Sequence, residues 1–184
     1  MSSLDISARK RANGAVIGLF VCLGFGTLWL VMALGFWPAR PSWCLPGALA
    51  AGALLTLWTL LRAPLLRRLA LADPRPVRAH TGALFALVVV LEVVAINAAV
   101  NVLIAFHHAE LQTFAIAAVV GLHFLPLAWL FRVRIYYWAG VLMVAWTGAC
   151  LTIQDRVNGA VALGLGMGAI LWGVAILVLV RLKR

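Results

Sequence analysis

Acidic residues are scarce in this chain: five Asp and Glu stand against fifteen Lys and Arg in 184 residues, and charge of either sign makes up only 11%. A soluble domain carries roughly 25% charged residues. A chain this poor in charge, 65% hydrophobic and with a mean hydropathy of +1.08, suits lipid rather than water. Cysteine is rare as well. Cys22, Cys44 and Cys150 stand alone without a CxxC pair, which argues against a paired-cysteine metal or redox motif and for small apolar fillers. GxGxxG, Walker and nucleophile-elbow patterns are missing. The glycines at 164, 166 and 168 fall inside an apolar run, not in a phosphate loop. The net charge of +10 forms no continuous basic face with interleaved aromatics, so nucleic acid is not a partner. No sequence feature asks for a cofactor.

What the chain does contain is six long apolar stretches, at 14–36, 44–61, 82–106, 112–131, 136–153 and 159–180. A bilayer core about 30 Å thick takes about 20 mostly apolar residues per helix. Six spans therefore use most of the chain and leave no soluble domain of useful size. The predicted fold is all-α, a single bundle of six transmembrane helices. Trp37, Trp43, Tyr136, Tyr137 and Trp138 fall near the ends of spans, where amphipathic rings are favoured.

The basic residues confirm this partition by their placement. All fifteen Lys and Arg except Arg40 and Arg156 lie before the first span, after the last, or in the second and fourth connections. Lys and Arg are retained on the cytoplasmic side, so both termini are expected inside, and the host membrane is expected to be a bacterial inner membrane. Arg9-Lys10-Arg11 ahead of an apolar run resembles a secretory signal. The run is longer than a signal's 7–15 apolar residues and lacks an A-x-A-like site before Arg40, which favours a retained helix. The longest connection, 62–80, opens with Leu65–Leu71, either a short interfacial helix or the inner end of the second helix. Asp73-Pro74-Arg75-Pro76 then reads as an extended turn.

Small residues recur every four positions, as in Ala160, Gly164 and Gly168, in Gly14 and Gly18, and in Ala48 and Gly52. Such stripes let helix backbones approach closely in lipid, within one chain or between protomers. The expected partners are the bilayer and a second copy or another membrane protein.

Glu92 is the one acidic residue deep inside a span and His123 the one deep histidine. An intramembrane ionisable residue is a functional candidate by default. At a rise of 1.5 Å per residue, Glu92 lies roughly 15 Å and His123 roughly 12 Å from the inner ends of consecutive spans. A contact between them is therefore allowed. A protonated Glu with a neutral imidazole, and a carboxylate with an imidazolium, differ by one proton moved over a short distance. That is the requirement for a proton-coupled site, and equally for a structural interhelical hydrogen bond. Pro126, three residues on, removes a backbone bond and frees a carbonyl nearby. Asn97 and Asn101 share one helix face about 140° from Glu92 and form either a polar lining from the outer mouth or interhelical hydrogen bonds. Glu92, His123, Asn97, Asn101 and Pro126 make up the candidate proton or substrate pathway.

In the outer loops, His107, His108 and Glu110, with Asp155, are weak candidates for a divalent metal. Adjacent histidines converge poorly on one ion and no HExxH spacing is present, so solvated loops are the simpler expectation. His80 and His107 sit at opposite membrane faces, which disfavours haem.

The stretch Gly121-Leu122-His123-Phe124-Leu125-Pro126-Leu127-Ala128, followed by Tyr136-Tyr137 and Gly140, resembles a segment of uncharacterised small bacterial multi-pass membrane proteins. That family has no established activity to carry over. The resemblance implies a similar membrane fold and draws interest to His123 and Pro126. The functional expectation is a small transporter or channel-like protein, proton-coupled through Glu92 and His123. The alternative is a non-catalytic scaffold or subunit that assembles through its small-residue faces.

Overall fold

The computed structural model describes residues 3–72, 81–131 and 133–181. Among them the chain forms six α-helices and no strand: α1 Ser3–Phe36, α2 Cys44–Ala72, α3 Thr81–Ala105, α4 Gln112–Phe131, α5 Arg134–Leu151 and α6 Arg156–Arg181, with one 3-10 turn at Ala109–Leu111 before α4. Helix is the form that satisfies every backbone donor and acceptor within its own segment, as hydrocarbon demands. Hydroxyls obey the same constraint. Thr27, Thr56, Thr59 and Thr147 each donate to the carbonyl four residues back, at 2.8–2.9 Å.

Five helices are long and apolar enough to cross a membrane: Val16–Phe36, Cys44–Leu65, Thr81–Ala105, Ala109–Phe131 and Arg156–Val180. The exception is α5, which has 18 residues, about 27 Å of helix, and opens on Arg134, Tyr136, Tyr137 and Trp138. Two helices outrun their apolar stretches. α1 begins at Ser3, among its charged residues, and α2 continues through Pro64 to Ala72 as one helix. Leu65–Leu71 is thus the C-terminal end of α2 and not a separate helix. The turn expected at Asp73–Pro76, and His80, lie outside the described residues.

Neighbours in space follow the order α2–α1–α6–α5–α4–α3, and α4 also reaches α6. The helices form a row with α2 and α3 at its ends. The core lies between, in Leu19, Cys22 and Leu23 of α1, Phe114, Ala117 and Phe124 of α4, Ala139 and Met143 of α5, and Leu163, Met167 and Leu171 of α6. No residue of α3 is buried.

Glycine sets the closest approaches. A Cβ on Gly164 would lie 2.9 Å from the Trp29 carbonyl oxygen and 2.7 Å from Ala33 Cβ; one on Gly168 would lie 2.9 Å from the Gly26 carbonyl oxygen. The stripe expected from the sixth span thus seats α6 on the backbone of α1. Gly52 meets Thr27 across the α1–α2 contact, and a Cβ on Gly18 would lie 3.0 Å from the Tyr136 hydroxyl. Ala160 is partly buried on α6. Gly14 belongs to the α1 backbone, and its surroundings lie outside the described residues. Trp146 ties α5 to α6 by donating from Nε1 to the Ala162 carbonyl at 3.1 Å, its indole lying where a Gly166 side chain would be.

A methyl group added at Gly168 meets backbone that cannot move aside, whereas Gly173 has nothing within 4 Å. Gly168→Ala should therefore lower stability by about 1–3 kcal/mol, and Gly173→Ala should be neutral or stabilising by up to about 1 kcal/mol. Equilibrium unfolding in lipid–detergent bicelles reads both.

Candidate functional site

The site is built where α4 leans on two different partners. A Cβ on Gly140 of α5 would lie 2.8 Å from the Gly121 carbonyl oxygen, and one on Gly121 would lie 3.1 Å from Met143 Cβ. This glycine crossing fixes the α5 side of α4. His123 follows Gly121 by two residues, a rotation of about 200°, and so faces the other way, towards α3. Glu92 meets it there: His123 Nδ1 lies 3.3 Å from Glu92 Oε2, with the side chains 10% and 19% exposed. The approach is within ion-pair range without hydrogen-bond alignment, and Nδ1 has no other partner among the described residues.

Around the pair is a groove of about 260 Å³ between α3 and α4, lined by Val88, Leu91, Glu92, Ala95, Val119, Leu122, His123 and Pro126. Phe124 stands edge-on to the imidazole at 6.3 Å and 82°, and in turn edge-on to Tyr136 at 5.8 Å and 83°. Pro126 sits inside α4. Having no N–H, it cannot bond the Leu122 carbonyl one turn back, so an acceptor without its helical donor borders the groove. The groove therefore combines one acid, one base and one backbone acceptor in otherwise apolar surroundings.

Asn97 and Asn101 do not join this site. Both are exposed, and each amide donates along its own helix, Asn97 Nδ2 to Val93 O at 2.8 Å and Asn101 Nδ2 to Asn97 O at 2.7 Å. The rotation from Glu92 carries them to the far side of α3, so of the five residues expected to act together only Glu92, His123 and Pro126 share the groove. Gly121 and Gly140, which set the α4–α5 crossing beside the site, do not belong to the four-residue stripes read from the sequence.

The α3–α4 and α5–α6 connections are held by helix termini. His107, at φ 58°, is the left-handed residue that closes α3. His107 N–H bonds Ile104 O at 3.0 Å and His108 N–H bonds Leu103 O at 2.8 Å, the paired bonds of a Schellman cap. His108 Nδ1 lies 3.3 Å from Glu110 Oε1. Asp155 caps α6, accepting from the Val157 and Asn158 backbone N–H groups at 2.9 and 3.3 Å. Among the described residues no three His, Cys, Asp or Glu side chains gather as metal ligands, so His107, His108 and Glu110 do not form a common site. The cysteines are free thiols.

These features define a class: among the described residues the protein is all-helical, with five helices apolar enough for a multi-pass membrane protein and a Glu–His approach between two adjacent ones. No protein-family model, curated protein or solved structure matches the chain.

If the pair interacts in the membrane, Glu92→Gln and His123→Asn should be non-additive, with a coupling of about 0.5–2 kcal/mol in a double-mutant cycle, measured by unfolding in bicelles. His107→Gly should stabilise by about 1 kcal/mol by relieving the left-handed backbone, and the β-branched His107→Val should destabilise, both read from thermal midpoints.

Proposed function

We propose that this protein is a small proton-coupled transporter or channel-like protein that crosses a bacterial inner membrane six times, with both termini in the cytoplasm, and works as a homo-oligomer. The proton role is carried by one observation, the 3.3 Å approach of the His123 imidazole to the Glu92 carboxyl in an apolar groove. Here the neutral pair and the ion pair differ only in which residue holds one proton. Gain or loss of a further proton gives the site a net charge, which hydrocarbon opposes, so a proton taken up from one side is passed to the other or its charge is met by a solute of opposite sign. That is a physical basis for coupling.

Six crossings follow from treating α5 as a span. It packs between α4 and α6, and its length of about 27 Å falls only slightly short of the hydrocarbon thickness. With six crossings, the Lys and Arg distribution puts both termini in the cytoplasm. Assembly as a scaffold through small-residue faces draws less support, because Gly164 and Gly168 are covered by α1.

The test is proton uptake into liposomes loaded with a pH-sensitive dye, driven by a valinomycin potassium potential between pH 5 and 8. The wild type should exceed empty vesicles with a pH-dependent rate. Glu92→Gln and His123→Ala should each lower that rate at least tenfold. Equal rates for the three proteins would remove the proton role.

A further inference from the structure

α3 stands at one end of the row without a single buried residue, and its far face is not uniformly apolar. Leu87, Val90, Val94, Asn97, Asn101 and Ile104 are all exposed. Their spacings alternate three and four, the repeat that places residues along one seam between two helices. Two members of that seam are asparagines. Each amide has two N–H donors and an oxygen acceptor, of which one N–H is satisfied within α3. The remaining N–H and the Oδ1 have no partner among the described residues. Asn97 lies eight residues from the outer end of α3, about 12 Å along the axis, a depth at which lipid offers no hydrogen bond.

We propose that a second copy of this chain docks on this seam, giving a parallel, two-fold α3–α3 dimer in which the Asn97 amides bond across the axis, with Asn101 one turn closer to the outer surface. A second copy is the occupant that fits. An amide is self-complementary, donor to acceptor and acceptor to donor. All copies share one orientation in the membrane, so a two-fold axis along the bilayer normal brings each seam residue opposite itself. Asparagine at a seam position also fixes register, since any slip leaves amides facing aliphatic side chains. The inference deepens the oligomeric part of the reading above and is independent of the proton role. Glu92 and His123 lie on the opposite side of α3 and stay open to their groove in the dimer.

The experiment uses the full chain, its native cysteines replaced, in phosphatidylethanolamine–phosphatidylglycerol vesicles. Single cysteines placed from residue 87 to 104 are oxidised with copper phenanthroline. Disulfide-linked dimers should peak at Leu87, Val90 and Val94 and fall away at Leu91 and Val93. In a second arm, energy transfer between labelled chains on dilution in lipid should show Asn97→Leu dimerising about three- to tenfold more weakly. A purified chain that stays monomeric at all dilutions would overturn both the seam and the oligomer. Dimers cross-linking without the three–four period, or unaffected by Asn97→Leu, would overturn the seam and leave an oligomer through another face. Proton uptake by Asn97→Leu reads the Glu92–His123 site separately.

Discussion

Hydrocarbon supplies no hydrogen bonds, so every polar group placed in it must find its partner within the protein. The backbone does so as helix. The buried or half-buried threonines do so by donating to the carbonyl one turn back, and Trp146 does so by reaching the Ala162 carbonyl on the next helix. Glu92 and His123 meet the same constraint less completely, and with greater consequence because both are ionisable. The Glu92 carboxyl approaches His123 Nδ1 to 3.3 Å without hydrogen-bond alignment, and that nitrogen has no hydrogen-bond partner among the described residues.

Bringing partners together at this depth depends on how closely helices approach. Without a hydrophobic drive between helices in lipid, close packing at small residues holds them. Gly26, Gly164 and Gly168 join α1 to α6, and Gly121 with Gly140 joins α4 to α5. The second crossing settles the orientation of α4 and so turns His123 towards α3. The row therefore has a firm centre and two peripheral helices. The acid–base pair lies at the contact between the firm part and one of the peripheral helices, where a small displacement of α3 changes the environment of both groups.

Much of this was legible in the residues themselves. The fourth span, 112–131, coincides with α4, and matched depth pointed to Glu92 and His123 as possible neighbours. Helix ends were less legible. An apolar count stops where hydrocarbon stops, whereas α1 and α2 continue into charged segments because their backbone bonding continues. The order of helices in the row was hidden. It follows from contacts such as Gly164 with Trp29, whose partners lie far apart in sequence and leave no local trace. Asn97 and Asn101 had the right face but the wrong setting. The wheel separated them from Glu92, and only the position of α3 at the end of the row shows that their side is open. The apolarity of α5 was diluted by Arg134 and by the aromatic residues that follow it, which is why length and composition alone do not mark it as a span.

The central claim is that α3 runs through lipid with its acid–base pair near mid-depth. A nitroxide on Val93→Cys, in a chain whose three native cysteines are replaced, tests this in liposomes by power-saturation spectroscopy. Val93 is exposed beside Glu92 and lies off the proposed seam. The account predicts frequent collisions with oxygen and few with a water-soluble nickel chelate. Collisions dominated by the nickel chelate would place α3 in water and contradict it.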